Sequence, residues 1–342
     1  MATINYQNEQ YESIADESVL DTLLRHNIDI PFSCNAGVCH CCIMVSDSIN
    51  YPNEANLGLK DTLIEQGYIL SCQCKPTDTI SVKLAEQYEI FAKALVIEKK
   101  MLSDNVCQLK LHSAVNLYYR AGQYINVRMN NTQIRSYSLA SLPTQDDFLE
   151  LHIKRMPGGI VSNWLCDEIR QGDTIEIQGA YGDCFYLKKH ADRDIVMIAT
   201  GTGLAPLFGI VREAIIHGHH GDIKLYHGER EQQDLYLDTE LRLMAEQHQN
   251  FSYFPCVSNS DSNNDKHIFH SRASELAFTQ NKNLANCVLY LCGSPEMVSS
   301  ARKQAYLNGA DIKNIYADPF ISKELRHANS TSDLELKRRL TD

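Results

Sequence analysis

The spacing of apolar and polar positions divides the chain into three stretches of different periodicity. In the first stretch the pattern predicts a strand Thr3–Tyr6, an amphipathic helix from about Ser18 to His26, and strands Ile43–Val45, Tyr68–Ser71 and Ile80–Leu84. Asp16 or Ser18 is expected to cap the helix. We therefore predict a small α+β unit that ends near Glu86.

From about Ile90 the period becomes that of short strands separated by turn residues. The predicted strands are Phe91–Ile97, Val106–Leu111, Tyr124–Arg128, Phe148–Ile153 and Thr174–Gly179. One helix, near Ser162–Arg170, interrupts them. Several short strands at this spacing predict a small antiparallel barrel.

After Arg193 strands alternate with helices. The predicted elements are strand Asp194–Thr200, helix Pro206–His217, strand Ile223–His227, helix Asp238–Gln247, strand Phe251–Val257, a polar loop Ser258–Asp265, strand Val288–Gly293 and helix Pro295–Asn308. This alternation predicts a parallel α/β sheet. The polar stretch from about His327 predicts a loose tail.

These patterns place domains at 1–88, 89–190 and 191–326, followed by a tail at 327–342. A chain of 342 residues is too long for one ordinary core, which agrees with two or three domains. No Lys or Arg precedes Arg25, so the positively charged start of a secretory signal is missing, and no apolar run approaches the ~20 residues of a membrane span. We expect a soluble, cytoplasmic protein without membrane insertion.

The net charge of −11 bears on which kind of partner the protein can bind. Nucleic-acid binding needs a basic surface, and no cluster of Lys and Arg with interleaved aromatic residues occurs, so no nucleic-acid partner is expected. An acidic surface suits a partner with a basic docking patch, although such a surface often serves only solubility.

Four cysteines carry the clearest chemical signal. Cys34, Cys39 and Cys42 give C-x4-C-x2-C, and 29 residues separate Cys42 from Cys72, which is the plant-type spacing for a 2Fe-2S cluster. Twelve cysteines in a cytoplasmic chain favour metal ligation over disulfides. Buried packing cysteines do not require this spacing. A structural zinc site favours paired C-x2-C units, and the second pair is absent.

Two further cysteines lie next to the proposed ligands. Cys41 falls between ligands and is expected to point outward. Cys74, two residues after Cys72, is expected to share its pleat face. We interpret both as non-ligands.

The second stretch contains a candidate flavin site. A flavin needs a cation for its pyrophosphate, an aromatic face against its ring and a small hydrogen-bonding residue near its polar edge, and alternating residues of one strand supply all three in Arg135, Tyr137 and Ser138. The run 157–162 (PGGIVS) leads into a helix whose free N–H groups suit a phosphate. Either motif alone also fits ordinary strand and turn residues. Their joint order favours a flavin.

The third stretch contains a candidate dinucleotide site. A buried strand enters Gly201-Thr202-Gly203 and then a helix, and a later strand ends at Cys292-Gly293 before another helix. This is not the G-x-G-x-x-G fingerprint, and each loop alone also fits a plain turn. Because ligands bind at the carboxyl ends of parallel strands, the two loops can converge. Acids in the loop 228–231 would bind a ribose 2′-OH and favour NADH over NADPH, although Arg230 opposes this.

Taken together, these motifs resemble a known family. The stretches PFSCNAGVCHCC and ILSCQC resemble plant-type ferredoxins and the ferredoxin domains joined to bacterial oxygenase reductases. The RSYS motif with AGQYINV and LHIKR, and GTG-x-AP paired with CG-x-P-x-M, resemble the ferredoxin reductase superfamily. The resemblance implies a multidomain α+β and α/β protein with a β-grasp ferredoxin domain, a six-stranded antiparallel FAD-binding β-barrel and a parallel α/β NAD-binding domain.

The resemblance also implies roles for individual residues. In the flavin site it implies Arg135 at the pyrophosphate, Tyr137 stacked on the flavin, Ser138 near its N5 atom, and Gly159, Val161 and Ser162 at the phosphates. In the dinucleotide site it implies Thr202 and Cys292 beside the nicotinamide, Gly201, Gly203 and Gly293 as dinucleotide contacts, and Phe320, from YADPF, close to the flavin. Ser138, Thr202 and Cys292 are the expected catalytic residues.

The expected function is electron transfer from NADH through FAD and a 2Fe-2S cluster to a separate terminal oxygenase, either a di-iron monooxygenase or a Rieske dioxygenase. A reductase for radical sugar deoxygenation or another iron-sulfur acceptor is the alternative within enzymes. A redox sensor or carrier without its own turnover is the alternative outside them. A monomer is expected, because such a reductase docks on a larger partner.

Overall fold

The computed structural model describes residues 2–48, 51–59, 64, 67–84, 91–259 and 267–320. Within these ranges the strands form one five-stranded sheet and two six-stranded sheets, one for each predicted unit. None of the helices in these ranges combines the length and the apolar character needed to cross a membrane. The predicted tail at 327–342 lies outside the described residues, and so does the boundary near residue 88.

The first unit is a mixed sheet with one helix packed against it. Its elements are β1 Thr3–Tyr6, β2 Glu9–Glu12, α1 Val19–Arg25, β3 Ile43–Ser46, a 3-10 turn Asn53–Asn56, β4 Tyr68–Leu70 and β5 Ile80–Leu84. The strand order is β2-β1-β5-β3-β4, with β1 and β5 parallel and the other pairs antiparallel. Ser18 caps α1, since its hydroxyl accepts the Asp21 N–H at 3.1 Å. This is the β-grasp arrangement expected for the unit.

The second unit is an antiparallel sheet with strand order β10-β7-β6-β11-β8-β9. Its elements are β6 Ala92–Met101, β7 Val106–Ser113, β8 Tyr124–Asn130, β9 Gln133–Ser138, β10 Leu149–Lys154, α2 Ile160–Asn163, a π turn Trp164–Glu168 and β11 Thr174–Tyr181. The two edges meet where Leu139 bridges Leu151 and the Ala140 N–H donates to the Glu150 carbonyl at 2.9 Å. The expected six strands are present, and a short contact joins the edges.

The third unit is a parallel sheet with strand order β15-β14-β13-β12-β16-β17. Its strands are β12 Ile195–Thr200, β13 Ile223–Glu229, β14 Phe251–Val257, β15 Phe269–His270, β16 Val288–Gly293 and β17 Ile315–Pro319. Its helices are α3 Leu204–Ile216, α4 Asp238–Gln247, α5 Ala273–Gln280 and α6 Pro295–Leu307, with 3-10 turns Lys188–His190, Gly201–Gly203, Gln232–Asp234 and Ile312–Asn314. Helices cover both faces, and the central strands β12 and β16 are almost entirely apolar.

Several predicted boundaries are confirmed to the residue, among them those of α4, β14 and β16. Others differ for local reasons. A bulge between Val96 and Glu98 breaks the alternation of buried and exposed residues inside β6. The predicted strand therefore ended at Ile97, whereas β6 continues to Met101. The helix predicted at Ser162–Arg170 begins earlier, at Ile160, and its π turn ends at Glu168 because Ile169 is extended.

The second unit packs against each of the other two. Residues of the second unit, including Cys184 and Tyr186, share a buried apolar cluster with α3. Arg212 on α3 forms an ion pair with Asp146 at 2.9 Å. A smaller apolar cluster joins the cysteine-rich loop of the first unit to Tyr124 and Ile134 of the second. The second unit therefore lies in contact with both of the others.

Candidate electron-transfer site

The four cysteines predicted as ligands form two adjacent pairs. The backbone N–H of Cys34 donates to Cys39 Sγ at 3.1 Å, and the N–H of Cys39 donates to Cys34 Sγ at 3.3 Å. A hydrogen bond between the thiols of Cys42 and Cys72 raises the pKa of Cys42 and lowers that of Cys72. Ser71 ties these two positions together, since its hydroxyl donates to the Cys42 carbonyl at 2.8 Å.

This pairing suits a binuclear cluster. Among the described residues, no three His, Cys, Asp or Glu side chains converge as ligands of a single metal ion would. A 2Fe-2S cluster holds two irons with two thiolates each, which matches two pairs of thiols. The loop also turns backbone N–H groups toward sulfur, because Ala36 donates to Cys34 Sγ at 3.3 Å. The residues present therefore fit the cluster.

Of the two neighbouring cysteines, Cys41 points outward as expected, whereas Cys74 lies in different surroundings from those expected. Cys41 points out of the cluster loop, but it is 3% exposed and its Sγ lies 3.2 Å from Asn126 Oδ1 of the second unit. Cys74 is buried in the core of the first unit, and burial raises its pKa to about 12. The pleat argument for Cys74 is wrong, since β4 ends at Leu70 and a turn follows.

The predicted flavin residues alternate along β9. Tyr137 packs against the apolar core of the second unit, near α2, and burial raises its pKa. Arg135 donates to the Ile134 carbonyl at 2.7 Å through one nitrogen, which leaves its other donors for a ligand. Ser138 follows Tyr137, so it faces the opposite side of the strand.

The glycine-rich run after β10 forms the start of α2. A Cβ atom on Gly159 would lie 2.3 Å from Ser162 Oγ, so this tight turn requires glycine. Val161 is 1% exposed in the core, which leaves only its backbone for a phosphate. Because α2 packs against β9, the short helix and Arg135 lie side by side. A cradle of this kind beside an arginine fits the phosphates of FAD.

The two loops at the carboxyl ends of β12 and β16 converge, as predicted. A Cβ on Gly203 would lie 2.2 Å from the Cys292 carbonyl, and one on Gly293 would lie 2.4 Å from the Thr200 carbonyl. These two glycines therefore allow close packing of the loops. Gly201, at φ +57°, faces more open space, and Thr202 beside it is partly exposed. The N-terminus of α3 follows directly, which fits a dinucleotide pyrophosphate.

A carboxylate that the sequence analysis did not single out joins the predicted catalytic residues. Ser138 Oγ donates to Asp318 Oδ2 at 3.4 Å, and Asp318 is the register partner of Cys292 between β17 and β16. Burial raises the pKa of Asp318 to about 6. The N–H of Phe320 donates to the Gly293 carbonyl at 2.7 Å, which brings Phe320 to the same edge. The only sequence feature that could have indicated Asp318 is its position in YADPF, two residues before Phe320.

Cys292 is fully buried at the boundary between the second and third units. Its Sγ lies 3.7 Å from that of Cys184, and burial raises its pKa well above the ordinary thiol value. The thiol is therefore neutral at physiological pH. Among the predicted catalytic residues, the structure brings Ser138 and Cys292 together around Asp318.

The acids expected at the adenosine end have different surroundings. Glu229 is the last residue of β13 and is buried beside Lys154, with 3.5 Å between Lys154 Nζ and Glu229 Oε2, so it belongs to the end of the strand and not to the exposed loop. Asn259 donates a hydrogen bond to Glu231. A nearby open pocket is lined by Arg230, Ser258, Asn259, His270, Ser271, Arg272 and Glu275. Its lining combines two arginines with neutral hydrogen-bonding side chains and one carboxylate, that of Glu275.

Comparison with protein families assigns one family to each unit. Residues 2–77 match a 2Fe-2S iron-sulfur cluster binding domain. Residues 93–186 match an oxidoreductase FAD-binding domain, and residues 197–303 match an oxidoreductase NAD-binding domain. The three expected cofactor-binding domains are thus confirmed in the expected order.

Relatives that span nearly the whole chain carry the same three units. The reductase subunit of an aromatic O-demethylase from Amycolatopsis is 30% identical over 317 residues, covering 89% of this chain and 94% of the relative. The ferredoxin–NAD(P)+ reductase component of a naphthalene 1,2-dioxygenase system from Pseudomonas putida is 29% identical and covers 90% and 94%. The crystal structure of a cytochrome P450 reductase from Amycolatopsis superposes with a TM-score of 0.66 at 27% identity, covering 94% and 99%.

Proposed function

Because this chain belongs to the family of NAD(P)H-dependent reductase components of bacterial oxygenase systems, we propose that it passes electrons from a reduced nicotinamide dinucleotide to a terminal oxygenase. The proposed path runs through the NAD-binding unit, then the FAD-binding unit and then the 2Fe-2S unit. Hydride enters at the third unit, and single electrons leave through the first. The second unit lies between them in space as well as in sequence.

One observation carries this proposal: a single strand, β9, contacts both neighbouring units. Ser136 Oγ lies 3.5 Å from Ser33 Oγ at the start of the cluster loop. Ser138, two residues further, donates to Asp318 of the third unit. Both flank Tyr137, the proposed flavin-stacking residue. The strand that carries the proposed flavin site therefore contacts both the cluster-loop unit and the nicotinamide unit.

The residues around β9 have distinct proposed tasks. When bound, FAD accepts a hydride and releases its electrons singly, and the 2Fe-2S cluster carries one electron at a time. Arg135 and the start of α2 bind phosphates, and Tyr137 provides an aromatic face. The Asp318 carboxylate holds the proton of Ser138 Oγ, and the neutral Cys292 side chain helps to exclude water from the boundary. Thr202 and Phe320 line the same edge.

The acceptor is proposed from the relatives. Their names place them with a dioxygenase and an O-demethylase, and we propose a terminal oxygenase of the Rieske or di-iron class for this chain. A net charge of −11 supports a basic docking patch on that partner. We propose a monomer that docks transiently. Twelve cysteines without a disulfide support a reducing compartment, so the cytoplasm remains the proposed location.

The donor is proposed from the adenosine pocket. With Glu229 buried, the predicted preference for NADH depends on Glu231 alone. Arg230 and Arg272 line the pocket and suit a 2′-phosphate. We propose that NADH and NADPH both serve as donors.

An anaerobic optical titration tests the proposed function. The purified protein is titrated with NADH and, separately, with NADPH while flavin and iron-sulfur absorbance are followed. We expect both chromophores to bleach with either donor. Absence of flavin, or no response to either dinucleotide, would favour a carrier or sensor without turnover.

A further inference from the structure

The contact between the cluster loop and the second unit centres on one fully buried amide. Asn126 on β8 is 0% exposed. Its Nδ2 donates to the Cys39 carbonyl at 2.7 Å and to Gln178 Oε1 at 3.0 Å, and its Oδ1 accepts from Ser136 Oγ at 2.9 Å and from Cys41 Sγ at 3.2 Å. All four hydrogen-bonding positions of the amide are therefore occupied.

The surroundings fix the orientation of this amide. The Cys39 carbonyl oxygen can only accept a hydrogen bond, so Nδ2 must point toward it. A flipped amide would place two acceptor oxygens against each other in a fully buried site. Asn126 thus holds the backbone of a proposed cluster ligand in one position.

The strand register explains why the contact occurs here. Asn126 is paired with Ser136 on β9 and with Gln178 on β11, so the three side chains form a row across the sheet. In the next row Tyr124 is paired with Ser138, and its hydroxyl donates to the Val38 carbonyl at 2.6 Å. Two successive carbonyls of the cluster loop are therefore bound by two successive rows of one sheet.

This arrangement also links the two proposed redox sites. Ser136, which donates to Asn126, stands between Arg135 and Tyr137 of the flavin motif. Two hydrogen bonds, from Ser136 to Asn126 and from Asn126 to the Cys39 carbonyl, join the flavin strand to the cluster loop. Electron-transfer rates fall steeply with distance, so a loop held at one separation sets one rate.

We propose that Asn126 is a positioning residue for electron transfer between the flavin site and the cluster. It fixes the cluster loop at the distance that transfer requires, and it acts through the backbone carbonyl of Cys39. The electrons cross one at a time, so the loop holds its position through two transfers for each dinucleotide oxidised. This proposal rests on the proposed function and deepens it.

The test separates positioning from folding by comparing two variants in one row. Asn126→Leu keeps the side-chain volume and removes the bond to the Cys39 carbonyl. Gln178→Met is the matched control, because Gln178 accepts a hydrogen bond from Asn126 while the bonds to the loop carbonyls come from Asn126 and Tyr124. Tyr124→Phe, which removes only the bond to the Val38 carbonyl, provides a second variant if Asn126→Leu does not fold.

Stopped-flow absorbance measures flavin reduction by NADH and the following cluster reduction. Hydrogen–deuterium exchange of residues 33–42 and the EPR spectrum of the dithionite-reduced cluster are the readouts that do not depend on turnover. We expect Asn126→Leu to leave the rate of flavin reduction within about twofold and to raise hydrogen–deuterium exchange in the loop. Cluster reduction should slow about tenfold, because losing one buried hydrogen bond lowers the equilibrium constant for the held loop by about that factor. Gln178→Met should change cluster reduction by less than about threefold on the same scale, and Tyr124→Phe should act in the same direction as Asn126→Leu.

Two outcomes would overturn the proposal. Unchanged cluster reduction with raised exchange would mean that loop position does not limit transfer. Unchanged exchange would mean that Asn126 does not hold the loop. Failure of the proposed function looks different, since the unaltered protein would then lack flavin reduction by NADH or lack the cluster signal.

Discussion

Ser138 Oγ donates a hydrogen bond to Asp318 Oδ2 at 3.4 Å across the boundary between the flavin and nicotinamide units. The two residues lie 180 positions apart in sequence. Each belongs to a motif of its own, RSYS or YADPF. Their contact gives the proposed hydride-transfer site a carboxylate that the motifs alone did not indicate.

The first prediction concerns the ionisation of Asp318. Burial raises the pKa of Asp318 to about 6, so the carboxylate is charged above that pH and neutral below it. A charged carboxylate orients the Ser138 hydroxyl and stabilises the positive charge that develops as a nicotinamide loses hydride. We expect NADH–ferricyanide activity to fall as the pH drops through about 6. Asp318→Asn should lower the rate about 10- to 100-fold and remove this titration.

The pH profile of kcat for the two proteins provides the measurement. A profile of Asp318→Asn that retains the step near pH 6 would assign the titration to another group. Cytochrome c and ferricyanide activities should fall in parallel, because the substitution affects hydride transfer, which precedes electron transfer to either acceptor.

The second prediction concerns stability and Glu229. Burial raises the pKa of Glu229 to about 7, although Lys154 lies 3.5 Å away. Glu229 therefore binds a proton more tightly in the folded protein than in the unfolded chain. The stabilisation that this proton provides is present at acidic pH and is lost as the pH rises from about 4.5 through about 7. Glu229→Gln cannot ionise and should escape this loss, which amounts to at most about 3 kcal/mol.

Thermal unfolding between pH 5 and pH 8 checks this second prediction. The variant should be close to the unaltered protein at the acidic end and more stable at the alkaline end. A stability difference that stays constant over this range would contradict the raised pKa.

The third prediction concerns donor choice. Arg230 lines the pocket at the proposed adenosine end, and Glu231 accepts a hydrogen bond from Asn259 there. Arg230→Ala should lower kcat/KM for NADPH about tenfold, the loss expected for one charged hydrogen bond, and leave NADH nearly unchanged. Glu231→Ala should act in the opposite sense, against NADH. Equal losses with both donors in either variant would place the pocket away from the 2′ position.

The sheets, and the proximity of the four cysteines proposed as cluster ligands, could be predicted from the sequence for clear physical reasons. Buried strands such as β14 and β16 are mostly apolar, and their bounds agree to the residue. Three of the thiols come from one loop, so local spacing alone could identify them. By contrast β15, with two residues, and β17 are short and carry polar positions, which gives little period to detect.

The site residues that were missed depend on contacts across units. Asn126 lies in the middle of a strand, where a polar residue normally indicates the solvent side, yet the cluster loop covers it. Glu229 was misplaced for a local reason. Strand β13 continues two residues past the predicted end at His227, which carries Glu229 into the sheet and out of the loop. A one-dimensional pattern does not contain either packing.

The most direct test of the electron path uses Cys39→Ser, with Cys74→Ala as the matched control, because Cys74 is also buried in the first unit but is proposed as a non-ligand. NADH-dependent reduction of ferricyanide reports the flavin level, and reduction of cytochrome c reports the cluster level. We expect Cys39→Ser to lose cytochrome c reduction and to keep ferricyanide reduction within about twofold, while Cys74→Ala keeps both. Equal loss of both activities in Cys39→Ser, with the protein folded and flavin bound, would contradict the proposed order from dinucleotide to flavin to cluster.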